Sequence, residues 1–276
     1  MTHRRVLTGA ILAALLSASL LFQWLQWLLP TLFLAFGVLC LIEIRDLIQL
    51  KSLRFPFVLS LMFVVLFLSD GYLADLRHGF AIVAIMVVVL LTERVLRQDY
   101  RNLAAEVGAG LLATLYIGLP VGMAAAIARM PEGSGGALGE WLLVYQLAVV
   151  FCGDTAAYFV GRRWGRRPFF QRLSPKKTLE GAAASVSCSI AVALLLVLIA
   201  PQLRWFLGLG HGLMLGAILG LVGPLGDLAE SAFKRDAGRK DSGLDFTGHG
   251  GFLDLLDAVL FGLPIQFCYI KFFLSP

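Results

Sequence analysis

The sequence predicts an all-α, polytopic integral membrane protein of about nine transmembrane helices, with its amino terminus in the cytoplasm. Three observations carry that prediction. Hydrophobic residues make up 59% of the 276 and charged residues only 15%, where a soluble domain carries about 25% charged residues. Mean hydropathy is +0.83, more apolar surface than a water-soluble fold can hide. The apolar sequence also falls into segments near the ~20 residues that cross a hydrocarbon core, and the basic residues alternate between their two ends.

In chain order the expected spans are 6–22, 26–44, 55–70, 79–93, 103–126, 139–158, 181–200, 207–230 and 252–273. The first two are divided by Gln23-Trp24 and Gln26-Trp27, an interfacial turn. A single helix through both would be roughly twice the length of one crossing. No cleavage signature follows the first span, so it is expected to be retained.

Of the 23 Lys and Arg residues, 19 fall at one set of ends, in 4–5, 45–54, 94–101, 162–177 and 234–240. Only Arg77, Arg129, Arg204 and Lys271 fall at the other. The richer side is cytoplasmic by the positive-inside rule, and the carboxyl terminus lies outside. The same distribution explains the net charge of +5 without invoking nucleic acid. The four cysteines are widely spaced in apolar runs and read as small buried hydrophobes, with neither disulfide nor zinc spacing.

The chain changes character near residue 150. Residues 1–150 form a transmembrane scaffold with short loops, whose acids Glu43, Asp46, Asp70 and Glu93 lie at span ends where solvation is expected. Residues 151–276 are expected to form the catalytic transmembrane region, with cytoplasmic loops 161–181 and 231–251. Residues 226–257 alone hold seven acids, four bases, one histidine and six glycines between apolar segments. An acid at the centre of a membrane helix costs about 2.5–3.5 kcal/mol on insertion scales. Such acids persist where they face an ion, a partner charge, a protein interior or a watery cavity.

One constellation begins with Asp154 inside the sixth span and ends in a basic loop with Ser174, Lys176, Lys177 and Thr178. Ammonium groups, hydroxyls and a helix start suit a nucleoside triphosphate. The same residues also fit a plainer role, with the lysines meeting anionic headgroups and Thr178 capping the seventh span. The second constellation lies on spans eight and nine. Asp227, Glu230 or Ser231, and Lys234 share a helix face if the eighth span continues, with Arg235 beside them. Lys240 and Asp241 follow in the loop, and Asp254 and Asp257 share a face of the ninth span. Carboxylates from two helices at one depth make a divalent-cation site. The His249-Gly250-Gly251 turn would let backbone N–H groups approach an anion.

The run Ser231-x-Phe-Lys-Arg-x4-Lys240-Asp241-x-Gly-x2-Phe246-x-Gly-His249-Gly-Gly-Phe-x-Asp254-x2-Asp257 resembles the signature of the phosphatidate cytidylyltransferases, or CDP-diacylglycerol synthases. The upstream GDTAAYFVGRRWG and SPKKTLEG segments are similar to further stretches of that family, in the same order. The resemblance implies a multi-span enzyme that uses CTP and phosphatidic acid to make CDP-diacylglycerol and pyrophosphate, with Mg²⁺ and room for a second cation. Asp227 and Asp254 would be metal ligands and Asp257 a ligand or its neighbour. Lys234, Arg235 and Lys240 would neutralise substrate phosphates, and Asp154, Lys176 and Lys177 would hold CTP. The expected partners are those substrates and membrane lipid, with a second copy of the chain as a candidate and no nucleic acid. The expected location is the bacterial inner membrane, with the site facing the cytoplasm. The chain departs from the family pattern at Leu255 (usually arginine), Ala258 (usually serine), Thr247 (usually proline) and Leu179 (commonly tryptophan). Other readings are a CTP-dependent enzyme acting on another lipid, a transporter and a catalytically weakened paralogue.

Overall fold

A computed structural model describes residues 28–98, 100–130, 138–171, 173–239 and 251–274. Among these, eight helices are long and apolar enough to cross a membrane. They are α1 (Leu28–Leu50), α2 (Phe57–Ala74), α3 (Gly79–Leu96), α4 (Leu103–Ala128), α5 (Leu138–Trp164), α6 (Leu179–Ile199), α7 (Pro201–Asp236) and α8 (Phe252–Phe273). They answer to the second to ninth expected spans; the first, 6–22, lies outside the described residues. Side chains such as Val58, Leu73, Phe80 and Phe272 stand largely exposed on the helices, as lipid-facing positions require. The protein is an all-α integral membrane protein.

The chain forms two compact units, one from Met1–Ala126 with Asp236–Leu255, the other from Ile127–Arg235 with Leu256–Pro276. The core of the first gathers Phe63, Met86, Leu90 and Val107. Its buried charges are paired: Arg94 meets Glu106 at 2.8 Å, and Glu106 also accepts the Arg54 N–H at 3.0 Å. Such burial is tolerable only when every charge finds hydrogen-bonding partners. The expectation that span-end acids are solvated fails for two of them. Asp70 is buried and accepts the His78 N–H at 3.0 Å, and Glu43 is 2% exposed and bonded to the start of α8. In each case backbone N–H groups replace the expected water.

In the second unit, α5 and α6 form an antiparallel pair joined by a two-stranded antiparallel ribbon, β1 (Pro168–Phe170) and β2 (Ser174–Thr178). Polar groups inside the spans are tied to neighbouring helices. Ser189 donates to the Val149 carbonyl at 3.0 Å and Gln266 to that of Leu142 at 2.9 Å. The helix α7 is broken at Gly208, where φ is +62° and ψ 177°, a conformation essentially restricted to glycine. The long span therefore starts just past residue 207, where the sequence placed it. None of the four cysteines forms a disulfide; Cys40 is buried, but Cys152 is exposed on α5, so the expectation of a buried small hydrophobe fails there.

Candidate active site

The ribbon is the local structure that the sequence did not announce. Prolines at 168 and 175 and a three-residue first strand argue against β-pairing, yet the elements at its root hold it. Glu180, in the first turn of α6, accepts the N–H groups of Arg166 at 3.1 Å and Arg167 at 3.2 Å. Leu179 donates to the Arg167 carbonyl at 2.9 Å. The Thr178 hydroxyl accepts the Gly181 N–H at 3.2 Å as the helix N-cap, the plainer of its two expected roles.

So anchored, β2 delivers its lysines to a cavity of about 650 Å³. Asp154, Tyr158 and Arg162 of α5 line it, with Phe169, Ser174, Lys176, Lys177 and Thr178 of the ribbon, and Asp227 of α7. Lys177 crosses onto α7, donating to the Pro224 carbonyl at 3.0 Å and pairing with Asp227 at 2.7 Å. Lys176 is exposed at the rim. The residues of the first constellation therefore share one cavity, and Asp227 of the second joins them.

The helix α7 does continue to Asp236, so Asp227, Glu230 and Lys234 share a face as expected. Glu230, which the sequence placed on that face without a role, is 1% exposed and pairs with Lys234 at 2.6 Å. Where α7 crosses α8, a Cβ on Gly226 would lie 2.7 Å from the Asp257 carbonyl oxygen. Only glycine permits that approach, and it brings Asp257 to the acids of α7. Carboxylate oxygens of Asp227, Glu230 and Asp257 lie within 4.8 Å of one another. With Asp154 in the adjoining cavity, four carboxylates face two ammonium groups, Lys177 and Lys234. Three converging oxygen donors with excess negative charge fit a hard divalent cation.

The remaining expected residues are placed differently. Asp254 stands one turn before Asp257 on α8, in the unit of α1–α4, and accepts the Gly251 N–H at 3.1 Å. The N–H groups of Phe252 and Leu253 go to Glu43 at 2.6 and 2.9 Å. The helix start expected to meet a phosphate is thus occupied by protein carboxylates, and Gly251 does not offer its N–H as expected. Arg235 is exposed and Ser231 half-buried. Lys240, Asp241, His249 and Gly250 lie outside the described residues. At the departures from the family pattern, Leu255 is half-buried, while Ala258 is buried and donates its N–H to the Asp257 carboxylate at 2.6 Å.

A profile of the cytidylyltransferase family matches residues 3–273. The phosphatidate cytidylyltransferase of Bacillus subtilis (strain 168) is 32% identical over 276 residues, covering 98% of both chains. That of Staphylococcus saprophyticus is 30% identical, covering 95% of this chain and 96% of its own. That of a Synechocystis strain is 39% identical over 132 residues, 48% of this chain and 44% of its own. With the match running nearly end to end, this chain belongs to the cytidylyltransferase family.

Proposed function

We propose that this protein transfers the cytidylyl group of CTP to phosphatidic acid, releasing pyrophosphate and leaving CDP-diacylglycerol in the membrane. The observation that carries the reading is the convergence of Asp227, Glu230 and Asp257 beside the lysine-bearing ribbon. The names of the full-length relatives support the same substrates.

In this reading a phosphate oxygen of phosphatidic acid attacks the α-phosphorus of CTP. The bond from that phosphorus to the oxygen bridging the β-phosphate breaks, and pyrophosphate departs with the bonding pair. The attacking oxygen is already anionic near neutral pH, so positioning and charge neutralisation do most of the work. Lys176 and Lys177 receive the triphosphate, with Ser174 at the same cavity wall. Asp154 stands across that cavity, and Arg235 and Lys240 balance the lipid phosphate. Lys234 joins them only by releasing Glu230. Asp227, Glu230 and Asp257 would hold Mg²⁺, with Asp254 assigned by resemblance, and a second cation is compatible with so many acids. The bound metal supplies charge neutralisation on the phosphate oxygens.

Residues 151–276 then form the catalytic region and 1–150 its scaffold, in the inner membrane with the site toward the cytoplasm. The test is a reconstituted assay with phosphatidic acid, Mg²⁺ and CTP labelled separately on cytidine and on the γ-phosphate. Cytidine label entering the lipid is expected. γ-Phosphate label in the lipid would mean a kinase instead, and neither label would overturn CTP-dependent lipid chemistry.

A further inference from the structure

A carboxylate from the amino-terminal half holds the start of the helix that carries Asp254 and Asp257. Glu43 lies seven residues before the end of α1, roughly 10 Å along a helix that rises 1.5 Å per residue. At that depth its two oxygens accept successive N–H groups of Phe252 at 2.6 Å and Leu253 at 2.9 Å, the first two residues of α8. The ring of Phe36, two turns earlier on α1, packs against that of Phe252 with centroids 6.2 Å apart. The contact spans 209 positions of sequence.

The physical chemistry favours this pairing from both sides. The first N–H groups of a helix have no partner within it, and away from water they need another acceptor. A buried carboxylate needs donors, and the helix dipole adds an attractive charge. A purely structural clamp explains that much. Asp254 sits in the same first turn and already takes the Gly251 N–H at 3.1 Å, reaching back to the residue before the helix as a capping side chain does. Were Glu43 removed, the amides of Phe252 and Leu253 would need another acceptor, and Asp254 offers a carboxylate in the same helical turn.

Building on the cytidylyl-transfer reading, we propose that Glu43 is a positioning residue for the reaction. By satisfying the amides of Phe252 and Leu253 it keeps them from competing for Asp254, which already accepts the Gly251 N–H. Groups that orient metal-ligating residues typically change metal affinity or activity by about 10–100-fold when lost.

The test uses the full chain in lipid nanodiscs, comparing wild type with Glu43→Gln and Glu43→Asp. Three quantities are read: kcat and KM for CTP, the Mg²⁺ concentration giving half-maximal rate, and metal-free amide hydrogen exchange at 251–257. Glu43→Gln should lower kcat about 10–100-fold and raise the Mg²⁺ requirement by a similar factor. KM for CTP should change far less than kcat. Exchange should accelerate at Phe252 and Leu253, and Glu43→Asp should recover part of the loss. If Glu43→Gln yields no folded protein, Glu43→Asp carries the test, since its shortened stem should produce the same shifts in smaller measure. Faster exchange with unchanged kcat and Mg²⁺ requirement would leave Glu43 a structural clamp and overturn the proposal. A wild-type chain that makes no CDP-lipid would instead overturn the cytidylyl-transfer reading, and the positioning role with it.

Discussion

Asp227 is the residue on which the two halves of the site meet, paired with Lys177 of the ribbon and clustered with Glu230 and Asp257. Asp227→Asn and Asp257→Asn keep shape while removing charge. Each is expected to lower kcat by about 10²–10³-fold, the loss seen when one preorganised electrostatic contact is removed, measured by CDP-lipid formation in correctly inserted protein. Lys177→Met should instead act chiefly on nucleotide binding, raising KM for CTP roughly 10–100-fold, as loss of a charged hydrogen bond of about 1.5–3 kcal/mol implies. The separation of those two signatures in steady-state kinetics checks the assigned roles. At this scale the sequence was legible where chemistry is written in residue type and spacing. Asp227 and Asp154 stood out as acids in apolar segments, and Lys177 as part of a basic loop between two spans. Glu43 and Glu230 were not assigned, because their importance comes from what folds against them, a helix start 209 positions away and a close α7–α8 crossing.

Among the elements, two glycines on α7 make opposite predictions. Gly226→Ala forces a Cβ into the Asp257 carbonyl, so it should cost about 1–3 kcal/mol of stability by overpacking and also depress activity, since Asp257 must move. Gly208→Ala strains the left-handed break at φ +62°. It should cost a similar ~1–3 kcal/mol but leave KM for CTP unchanged, because a Cβ there meets no neighbour and the break lies far along α7 from Asp227. Thermal unfolding in detergent paired with KM distinguishes them. Helix positions were legible from apolar length, with ends displaced by several residues where α5 and α7 run beyond the apolar core to Trp164 and Asp236. The ribbon was not, since its strands owe their pairing to Glu180 and the Arg167 carbonyl and not to alternation in their own sequence.

For the whole molecule, the excess of 19 basic residues on one set of span ends over 4 on the other predicts which surface faces the cytoplasm. In a cysteine-free background, Arg166→Cys should react with a membrane-impermeant maleimide in inside-out vesicles, and Arg129→Cys in right-side-out vesicles. The reverse pattern would invert the topology and place the nucleotide site away from its substrate.

The Lys177–Asp227 ion pair has a consequence of its own for how the protein fills. In the proposed reading each partner occupies the contact that a substrate component would need, the ammonium being wanted by phosphate and the carboxylate by the cation. A nucleotide that draws Lys177 away leaves Asp227 hungry for a cation, and a cation that takes Asp227 releases Lys177 to the nucleotide. Thermodynamic reciprocity then requires that each strengthen the other's binding by the same factor. Calorimetric titration of Mn²⁺ with and without a non-hydrolysable CTP analogue should show that mutual gain, and Lys177→Met should reduce it.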